Sequence, residues 1–471
     1  MTKGTMGRAL LLSIVLVLAA RLPRGHVQSA ILVRHGDQLR AAKEHSRAID
    51  VYRELAVLRP QWALPYLRLG QIYLAQGKWE EAEGEFSTTR ELARGEVEAL
   101  VGLGEIAHHR GDLKAAVAWW RLATASDPRN TEARYQLGQV HLKLSRFDLA
   151  EQEFQRIVLC DRHHQGAHYY LGLLLADLDV PLAVEHLRLA GAGEDPEQAE
   201  RAKGMLLLLA DIAESEESAN IAALLGHAYI EFEVPSLALA QLERATSLEP
   251  NNHTAGAYLG YALFALDDHK RAQEVLREVT HLAPKHPLGH YFLALLHRSA
   301  GYLPTALWEF KTSLRLDPSN AAVYADIADT YQRMEQYVIA GEWYRSAART
   351  APREAGFSLL LAQFYVDVLP RPEEGLAAAR QAVAVTPDNP VAQDLLGWAL
   401  YLAGEPAQAQ VPLERAIALD PDFARGYYHL GVVSARLGHE ETAQWAYERA
   451  IDLDSDGQYR DRAIAELGSR D

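Results

Sequence analysis

In the first third of the chain, the apolar residues are spaced as short amphipathic helices separated by turns. Tyr66, Leu69 and Tyr73 recur at intervals of three and four residues, which places them on one helical face. Gly77 interrupts the pattern, and the apolar positions resume with Ala82. A glycine just past a helix end can take the left-handed backbone that closes the helix without a steric penalty. This stretch therefore predicts a helix, a turn and a second helix.

The same pattern returns every 34 residues along most of the sequence. If its small residue is counted as the eighth place of a repeat, the eighth places are Gly36, Gly70, Gly104, Gly138, Gly172, Gly226, Gly260, Ala294, Ala328, Ala362, Gly397 and Gly431. The turn glycine recurs in phase at Gly77, Gly111, Gly301, Gly404 and Gly438. Prolines that stop the second helix are Pro60, Pro128, Pro250, Pro284, Pro318, Pro352, Pro387 and Pro421. The spacing predicts a chain of paired helices.

The small residues have a packing role. Two antiparallel helices approach closely only where one presents Gly or Ala and a large side chain fills the remaining gap. In the second repeat Gly70 would face Ala82, with Phe86 beside them, and equivalent trios follow in later repeats. We interpret these residues as core and none of them as a site.

A small residue at two fixed places of a helix-turn-helix unit of this length resembles the tetratricopeptide repeat (TPR) family. The resemblance covers about residues 30–455 and implies an all-α solenoid, a right-handed superhelix of about twelve units, two of them degenerate. The fifth unit is irregular, because Ala183 arrives one residue early. The tenth carries Pro370 and Pro372 in its turn, and Gly397 arrives one residue late.

The array is interrupted near residues 190–218, because Gly172 and Gly226 are 54 residues apart. Asp195 followed by Pro196 is typical of a helix start, so we predict an extra, unpaired helix over about residues 196–213. The predicted organisation is a leader and linker over 1–29, arrays over 30–192 and 219–455 around an interrupting helix at 193–218, and a capping helix over 456–471.

The amino terminus has the features of a leader. Lys3 and Arg8 precede an uncharged apolar run over residues 9–20, long enough for a signal peptide but short for a membrane span. Cleavage could follow Ala20 or Ser29, although the nearby arginines favour the alternative of an uncleaved membrane tether. We expect export or membrane anchoring, on the periplasmic or extracellular side in a bacterium, rather than a cytoplasmic location.

Composition narrows the function classes. A net charge of −16 argues against nucleic acid as a partner, since binding it requires neutralising phosphates. A single cysteine, Cys160, excludes an intramolecular disulfide and a Cys-pair zinc site. No phosphate-binding glycine loop or nucleophile constellation stands out, and the repeats leave no room for a fused catalytic domain. We therefore predict a non-enzyme with no cofactor.

Histidine, with 19 copies, is the residue type that could bind a metal, and three clusters are candidate metal sites. They are Glu105 with His108 and His109; His163, His164 and His168; and His281, His286 and His290. Two histidines four apart on a helix can share a metal. No third ligand stands at a fixed spacing, and Pro287 interrupts the last cluster, so we predict no metal.

The resemblance implies a concave groove lined by the first helices, at the second, fifth, ninth, twelfth and thirteenth places. At these places of the family pattern stand the predicted groove residues Tyr135, Tyr169, Tyr261, Phe264, Tyr291, Arg298, Arg333, Trp398, Tyr401 and Tyr428. Near them stand Gln139, His227, Asp329, Gln363 and Arg436. The alternative for each aromatic ring is packing between adjacent first helices. The clamp with which chaperone-binding relatives hold Hsp70 or Hsp90 tails is missing, because its places hold Leu67, Gln71, Val101 and Glu105.

These features predict a non-catalytic scaffold that binds protein partners, as extended peptide or helix, in the groove. One alternative is an assembly factor of a bacterial envelope system, for polysaccharide export, secretion or pilus biogenesis. A second is the regulatory arm of an enzyme. The sequence does not identify the partner.

Overall fold

The computed structural model describes residues 24–212, 218–454 and 457–468, with side chains from residue 28. All regular structure in these ranges is helical. Contacts divide the chain into unit 1, which holds the described residues up to Pro128 and from Asp420, and unit 2, from Arg129 to Leu419. The predicted break at 193–218 lies within unit 2. The apolar run at 9–20 lies outside the described residues, among which no helix is long and apolar enough to cross a bilayer.

The helices follow one another with short turns between them. The first six are α1 (Arg24–Ala41), α2 (His45–Leu58), α3 (Ala63–Ala75), α4 (Trp79–Leu92), α5 (Val97–His109) and α6 (Leu113–Ser126). Next come α7 (Thr131–Lys143), α8 (Phe147–Cys160), α9 (Gln165–Leu175), α10 (Val180–Gly191), α11 (Pro196–Ile212), α12 (Ser218–Glu231), α13 (Pro235–Leu248), α14 (His253–Ala265) and α15 (His269–Leu282). The chain continues with α16 (Pro287–Ser299), α17 (Leu303–Leu316), α18 (Ala321–Arg333), α19 (Tyr337–Thr350), α20 (Ala355–Gln363), α21 (Pro372–Val385), α22 (Pro390–Leu402) and α23 (Pro406–Leu419). Unit 1 ends with α24 (Ala424–Arg436), α25 (Glu440–Leu453) and α26 (Gln458–Gly468).

Apart from α11 and α26, the helices pair two by two, and each pair is one predicted repeat. The small eighth place meets the large side chain as the sequence predicts. A Cβ built on Gly70 would lie 2.7 Å from the ring of Phe86, and one on Gly104 would lie 2.3 Å from Nε1 of Trp120. Both rings are fully buried. The all-α solenoid of helix pairs is confirmed.

The turn inside ten of the twelve repeats contains a left-handed residue. Gly77, Gly111, Gly301, Gly404 and Gly438 have φ between 65° and 85°, which confirms their predicted role. The same place carries other residue types at Lys43, Ser145, Glu233, Asp267 and Glu335, with φ between 55° and 63°. These five turns are not predictable from the sequence pattern, because turns of this kind are recognised in a sequence by their glycine.

The fourth place of several repeats fastens the turn that precedes its helix. Tyr66, His168, His290, Tyr324 and Gln393 each donate a side-chain hydrogen bond, of 2.7 to 3.3 Å, to the backbone carbonyl six residues earlier. Each accepting carbonyl lies in the turn, two residues past the end of the preceding second helix. The bond ties each of these first helices to the end of the preceding repeat.

The helix expected over about residues 196–213 is present as α11. Asp195 caps it, accepting from the backbone N–H of Glu197 at 3.0 Å and of Gln198 at 3.2 Å. The helix is not unpaired, however. It lies along α10, where a Cβ on Gly191 would stand 4.0 Å from the Cβ of Ala202. The small residues at this crossing allow the close approach.

The irregular tenth repeat is explained by its backbone. A π-helical turn over Phe364–Val368 follows α20. The N–H of Leu369 bonds to the carbonyl of Phe364 at 2.9 Å, a span of five residues. A π turn holds one more residue than an α turn, so it absorbs the extra residue that delays Gly397.

The terminal helix α26 begins with a side-chain cap. Asp454 accepts from the backbone N–H groups of Tyr459, at 2.6 Å, and Arg460, at 2.7 Å. Within unit 1, α2 also contacts α25, where the Ser46 hydroxyl donates to Asp452 over 2.7 Å. These two helices are nearly the full sequence apart, so the ends of the described chain pack together.

Candidate partner-binding groove

The first helices α14 and α16 carry a cluster of aromatic side chains. The ring of Tyr261 lies 4.8 Å from that of Phe292 and 6.1 Å from that of Phe264, and Tyr291 lies 5.4 Å from Phe292. Phe292 is buried, while the three predicted groove residues are half-buried. The cluster joins neighbouring repeats and still presents aromatic edges to solvent. These rings therefore pack and remain available for contact.

A chain of alternating charges links α16 to α18. Arg298 donates to Asp326 at 2.7 Å and lies 3.1 Å from Asp329, and Asp329 also accepts from Arg333 at 2.8 Å. Tyr291 donates its hydroxyl proton to Asp326 at 2.8 Å. Burial raises the pKa of Tyr291, and the Asp326 carboxylate raises it further. The phenol is thus a fixed hydrogen-bond donor at physiological pH.

The two arginines of this chain differ in exposure. Arg298 also lies over the Phe310 ring, with Cζ 5.3 Å from its centroid, and its side chain is only 15% exposed. The Arg333 side chain is 54% exposed. Arg298 therefore serves mainly to hold two repeats together, whereas Arg333 presents its guanidinium to solvent. Asp326 stands at the sixth place of its repeat, which is not one of the five groove places of the family pattern, so the sequence pattern does not predict it.

Helix α22 carries a second aromatic pair. The rings of Trp398 and Tyr401 stack 4.9 Å apart at an interplanar angle of 19°, and both are half-buried. The packing of α22 within its own repeat is made by neighbouring residues, since Gly397 meets Leu413 and Leu400 is buried. The stack thus lies beside this packing contact and keeps part of its surface exposed.

Two predicted groove residues, Tyr135 and Tyr169, lie next to the extra helix α11. Tyr169 is 2% exposed and belongs to the unit 2 core. Tyr135 is half-buried among Phe154, at 6.0 Å, and Tyr170, also at 6.0 Å. Burial is the main cause that raises the pKa of both predicted tyrosines. Tyr169 therefore packs in the core and leaves almost no surface for a partner.

The reason lies in α11, whose polar residues stand next to both hydroxyls. A hydrogen bond from Gln198 opposes the pKa rise of Tyr135, and the charge of Arg201 opposes that of Tyr169. Arg201 is held in turn by Glu233, at 2.9 Å. The extra helix thus occupies the neighbourhood in which the sequence predicted a partner.

Tyr428 is buried at 9% exposure in unit 1. Its ring lies 5.6 Å from Tyr459 of α26 and 6.2 Å from Tyr447 of α25. The terminal helix therefore covers this face of α24, and Tyr428 packs against it with little surface left for a partner. The cause is again a helix outside the repeat pattern.

The histidine clusters do not form a metal site in the described residues. His290 instead pairs with Glu309 at 2.7 Å, and His168 faces His186, with 2.8 Å between their Nδ1 atoms. The places of the chaperone-tail clamp are also committed, because Leu67 and Val101 are buried. These contacts support neither a metal site nor a clamp for chaperone tails.

Tetratricopeptide repeat family models match four segments of the chain. They cover residues 67–131 and 120–163, 235–296, and 424–456. The chain belongs to the tetratricopeptide repeat family. The matched segments include repeats on both sides of α11, as the 34-residue pattern requires.

Among curated proteins, this TPR chain is similar to the BBSome complex member BBS4 of Bos taurus, with 23% identity over 322 residues. The match covers 63% of the chain and 62% of the relative's length. Among solved structures it resembles yeast Tom70, with 14% identity, a TM-score of 0.38 and coverage of 94% and 95%. It also resembles YrrB, a TPR protein with an unusual peptide-binding site, with 23% identity, a TM-score of 0.35 and coverage of 41% of this chain and 99% of that one.

The TPR fold supports a role in protein interaction. Of the predicted groove residues, all except Tyr169 and Tyr428 keep some exposed surface. Those on first helices after α11 are Tyr261, Phe264, Tyr291, Arg298, Arg333, Trp398 and Tyr401, all in unit 2. These residues offer aromatic faces and the exposed Arg333 guanidinium. Beside them stand the carboxylates of Asp326 and Asp329, which are neutralised by arginine. Such a surface can hold apolar side chains and accept or donate hydrogen bonds to a peptide backbone.

Proposed function

We propose that the protein is a non-catalytic scaffold that holds a partner protein, as extended peptide or helix, along the first helices α14 to α22. The observation that carries this proposal is the half-buried aromatic surface of α14, α16 and α22. Aromatic side chains supply large contact area at small entropic cost, which makes them frequent anchors of interfaces. A relative that is a member of a multiprotein complex agrees with this role.

The stack of Trp398 and Tyr401 is the proposed anchor. The contact that closes this helix pair is made by Gly397 with Leu413 and not by the two rings, so we expect their truncation to leave the pair intact. Loss of one buried anchor typically weakens binding by roughly 1–3 kcal/mol. Capture of the partner should therefore depend on these two rings.

The test is affinity capture from the native host, analysed by mass spectrometry, with three forms of the full chain. Wild type and a Trp445→Ala control, which truncates an exposed ring on α25, should capture the same protein. The Trp398→Ala/Tyr401→Ala variant should lose it while its melting temperature changes little. If that variant melts far below wild type, the rings belong to the core. If it retains the partner, the anchor lies elsewhere.

We further propose that the protein is exported or tethered to a membrane, and that its partners are on that side. The support is the basic and apolar leader formed by Lys3, Arg8 and residues 9–20. The same leader, followed directly by repeats, favours an envelope assembly factor as the second candidate function. Co-purified glycan would support that candidate over the protein scaffold.

The location has its own test. Alkaline phosphatase fused after Pro60 should be active, and green fluorescent protein fused at the same residue should be dark. A bright fusion with inactive phosphatase would place the repeats in the cytoplasm and refute export without affecting the groove.

A further inference from the structure

The second helices α17 and α19 form a cleft that the groove does not use. It has a volume of about 640 Å³ and is lined by Trp308, Lys311, Leu314, Arg315, Pro318 and Trp343. We propose that this tryptophan cleft is a second docking site, which takes a short acidic segment of a partner protein with an apolar anchor residue. The size is that of a pocket for one or two large side chains.

Neither tryptophan is the large residue that packs against the eighth place of its repeat. Phe310 fills the gap behind the eighth place in the eighth repeat, and Tyr344 does so in the ninth, and both are buried. Trp308, by contrast, is 59% exposed. Trp343 is half-buried, with its ring 5.8 Å from that of Tyr324. The cleft therefore exposes more aromatic surface than its own packing explains, which is typical of an interaction site.

Residues beneath the cleft hold the rings of Trp308 and Trp343 in their orientations. The rings of Trp308 and His290 are nearly perpendicular, with their centroids 6.4 Å apart, and His290 is itself held by Glu309 at 2.7 Å. Trp343 packs against the cluster that contains Ile327 and Phe310. A preorganised aromatic wall loses little side-chain entropy when a partner binds.

The positive charge of the cleft favours an acidic ligand. Lys311 and Arg315 stand one helical turn apart on α17 and flank the apolar floor. Lys311 donates to the Tyr331 hydroxyl at 2.7 Å and Arg315 to the Thr312 hydroxyl at 2.9 Å. Among the described residues, neither cation forms an ion pair with a carboxylate. Two cations without acidic partners, in a chain of net charge −16, favour carboxylates on the ligand.

The nearby carboxylates do not cancel this preference. Glu309 is engaged by His290, and Glu342 is bound by Arg345 at 2.8 Å. A second copy of the chain would bring its own charge of −16, which opposes self-association. The cleft thus combines an apolar pocket with local positive charge. An acidic peptide with one large apolar residue matches both.

The probe is a fluorescein-labelled synthetic peptide with Leu and Phe between two pairs of Glu, measured by fluorescence polarisation on the full chain. A matched peptide has Lys in place of Glu. We expect saturable binding of the acidic peptide, which weakens at about 0.5 M salt because exposed charges are then screened. Trp308→Ala/Trp343→Ala should weaken binding about tenfold or more. Lys311→Gln/Arg315→Gln should weaken it several-fold and reduce the salt dependence.

The Trp445→Ala variant is the matched control, an exposed tryptophan on another second helix, and should bind as wild type does. Circular dichroism establishes that each variant is folded. The proposal is overturned if the acidic peptide does not bind, if the Lys peptide binds equally, or if the cleft variants bind as wild type does. It is also overturned if Trp398→Ala/Tyr401→Ala abolishes binding, since the peptide then sits in the groove. A dimer that Trp308→Ala dissociates would instead identify a second copy as the occupant.

Discussion

Replacing Gly104 by alanine tests whether the eighth place sets the distance between paired helices. The new Cβ would lie 2.3 Å from Nε1 and 2.6 Å from Cδ1 of Trp120. That indole is fully buried and donates to the carbonyl of Val101 at 3.3 Å, so it cannot swing away. The substitution therefore forces α5 and α6 apart.

The magnitude follows from two opposing terms. Alanine in a helix is about 1 kcal/mol more favourable than glycine. Overpacking a closely packed core costs about 1–3 kcal/mol, and a contact with a rigid ring belongs at the upper end. We expect a net destabilisation of about 2 kcal/mol at Gly104. Gly84 on α4 is the matched control, because nothing lies within 4 Å of its Cβ and alanine there should stabilise.

The assay is hydrogen exchange with mass spectrometry, because an array of repeats need not unfold in one step. The opening free energy of α5 and α6 amides should fall in Gly104→Ala and not in Gly84→Ala. Adding Trp120→Phe should restore part of the loss, since the eighth repeat already combines Ala294 with a buried Phe310. If Gly104→Ala is as stable as wild type, or if Trp120→Phe gives no rescue, the steric argument fails.

Three further predictions use the same measurement. The bond to Glu309 raises the pKa of His290. The stabilisation of α16 and α17 by this bond should therefore be fully present below pH 6.5, the ordinary pKa of histidine, and be lost as the pH rises through the raised pKa. His290→Arg should remove this pH dependence. Burial lowers the pKa of His186, so α9 and α10 should be stable above 6.5 and weaken as pH falls through the lowered value; a common pH trend in both pairs would contradict the assignments. Glu335→Gly should stabilise α18 and α19 by about 1 kcal/mol, because Glu335 has φ of 59°, whereas Gly301→Ala should destabilise its turn. If Glu335→Gly destabilises these helices, the backbone of Glu335 is not strained and the prediction is wrong.

The helix pairs could be predicted because their determinants are local and periodic. A glycine and a large residue sixteen places later, such as Gly104 and Trp120, identify a close helix crossing without any knowledge of the rest of the chain. Left-handed turns were predictable only where glycine occupies them. Lys43 and Glu335 adopt the same backbone, because tertiary packing on both sides imposes it.

The groove was predictable only in part, because exposure depends on helices outside the repeat. Place numbering assigns Tyr169 and Tyr428 to the groove, but α11 and α26 lie over these parts of the chain. The sequence shows that such helices exist, yet not which first helices they contact. Where only regular repeats are present, as at Trp398 and Tyr401, the assigned surface stays partly open.

The places that every repeat must fill with small or large apolar residues carry little information about partners, because all TPR arrays need them. Specificity has to come from places that packing leaves unconstrained. In unit 2 these are the exposed side of the first helices, which carries Trp398 and Tyr401, and the outer side of the second helices, which carries Trp308 and Trp343. The first presents aromatics beside arginine-neutralised carboxylates, and the second presents aromatics beside unneutralised cations. Two surfaces with different charge can hold two different segments at once, which is what a scaffold requires.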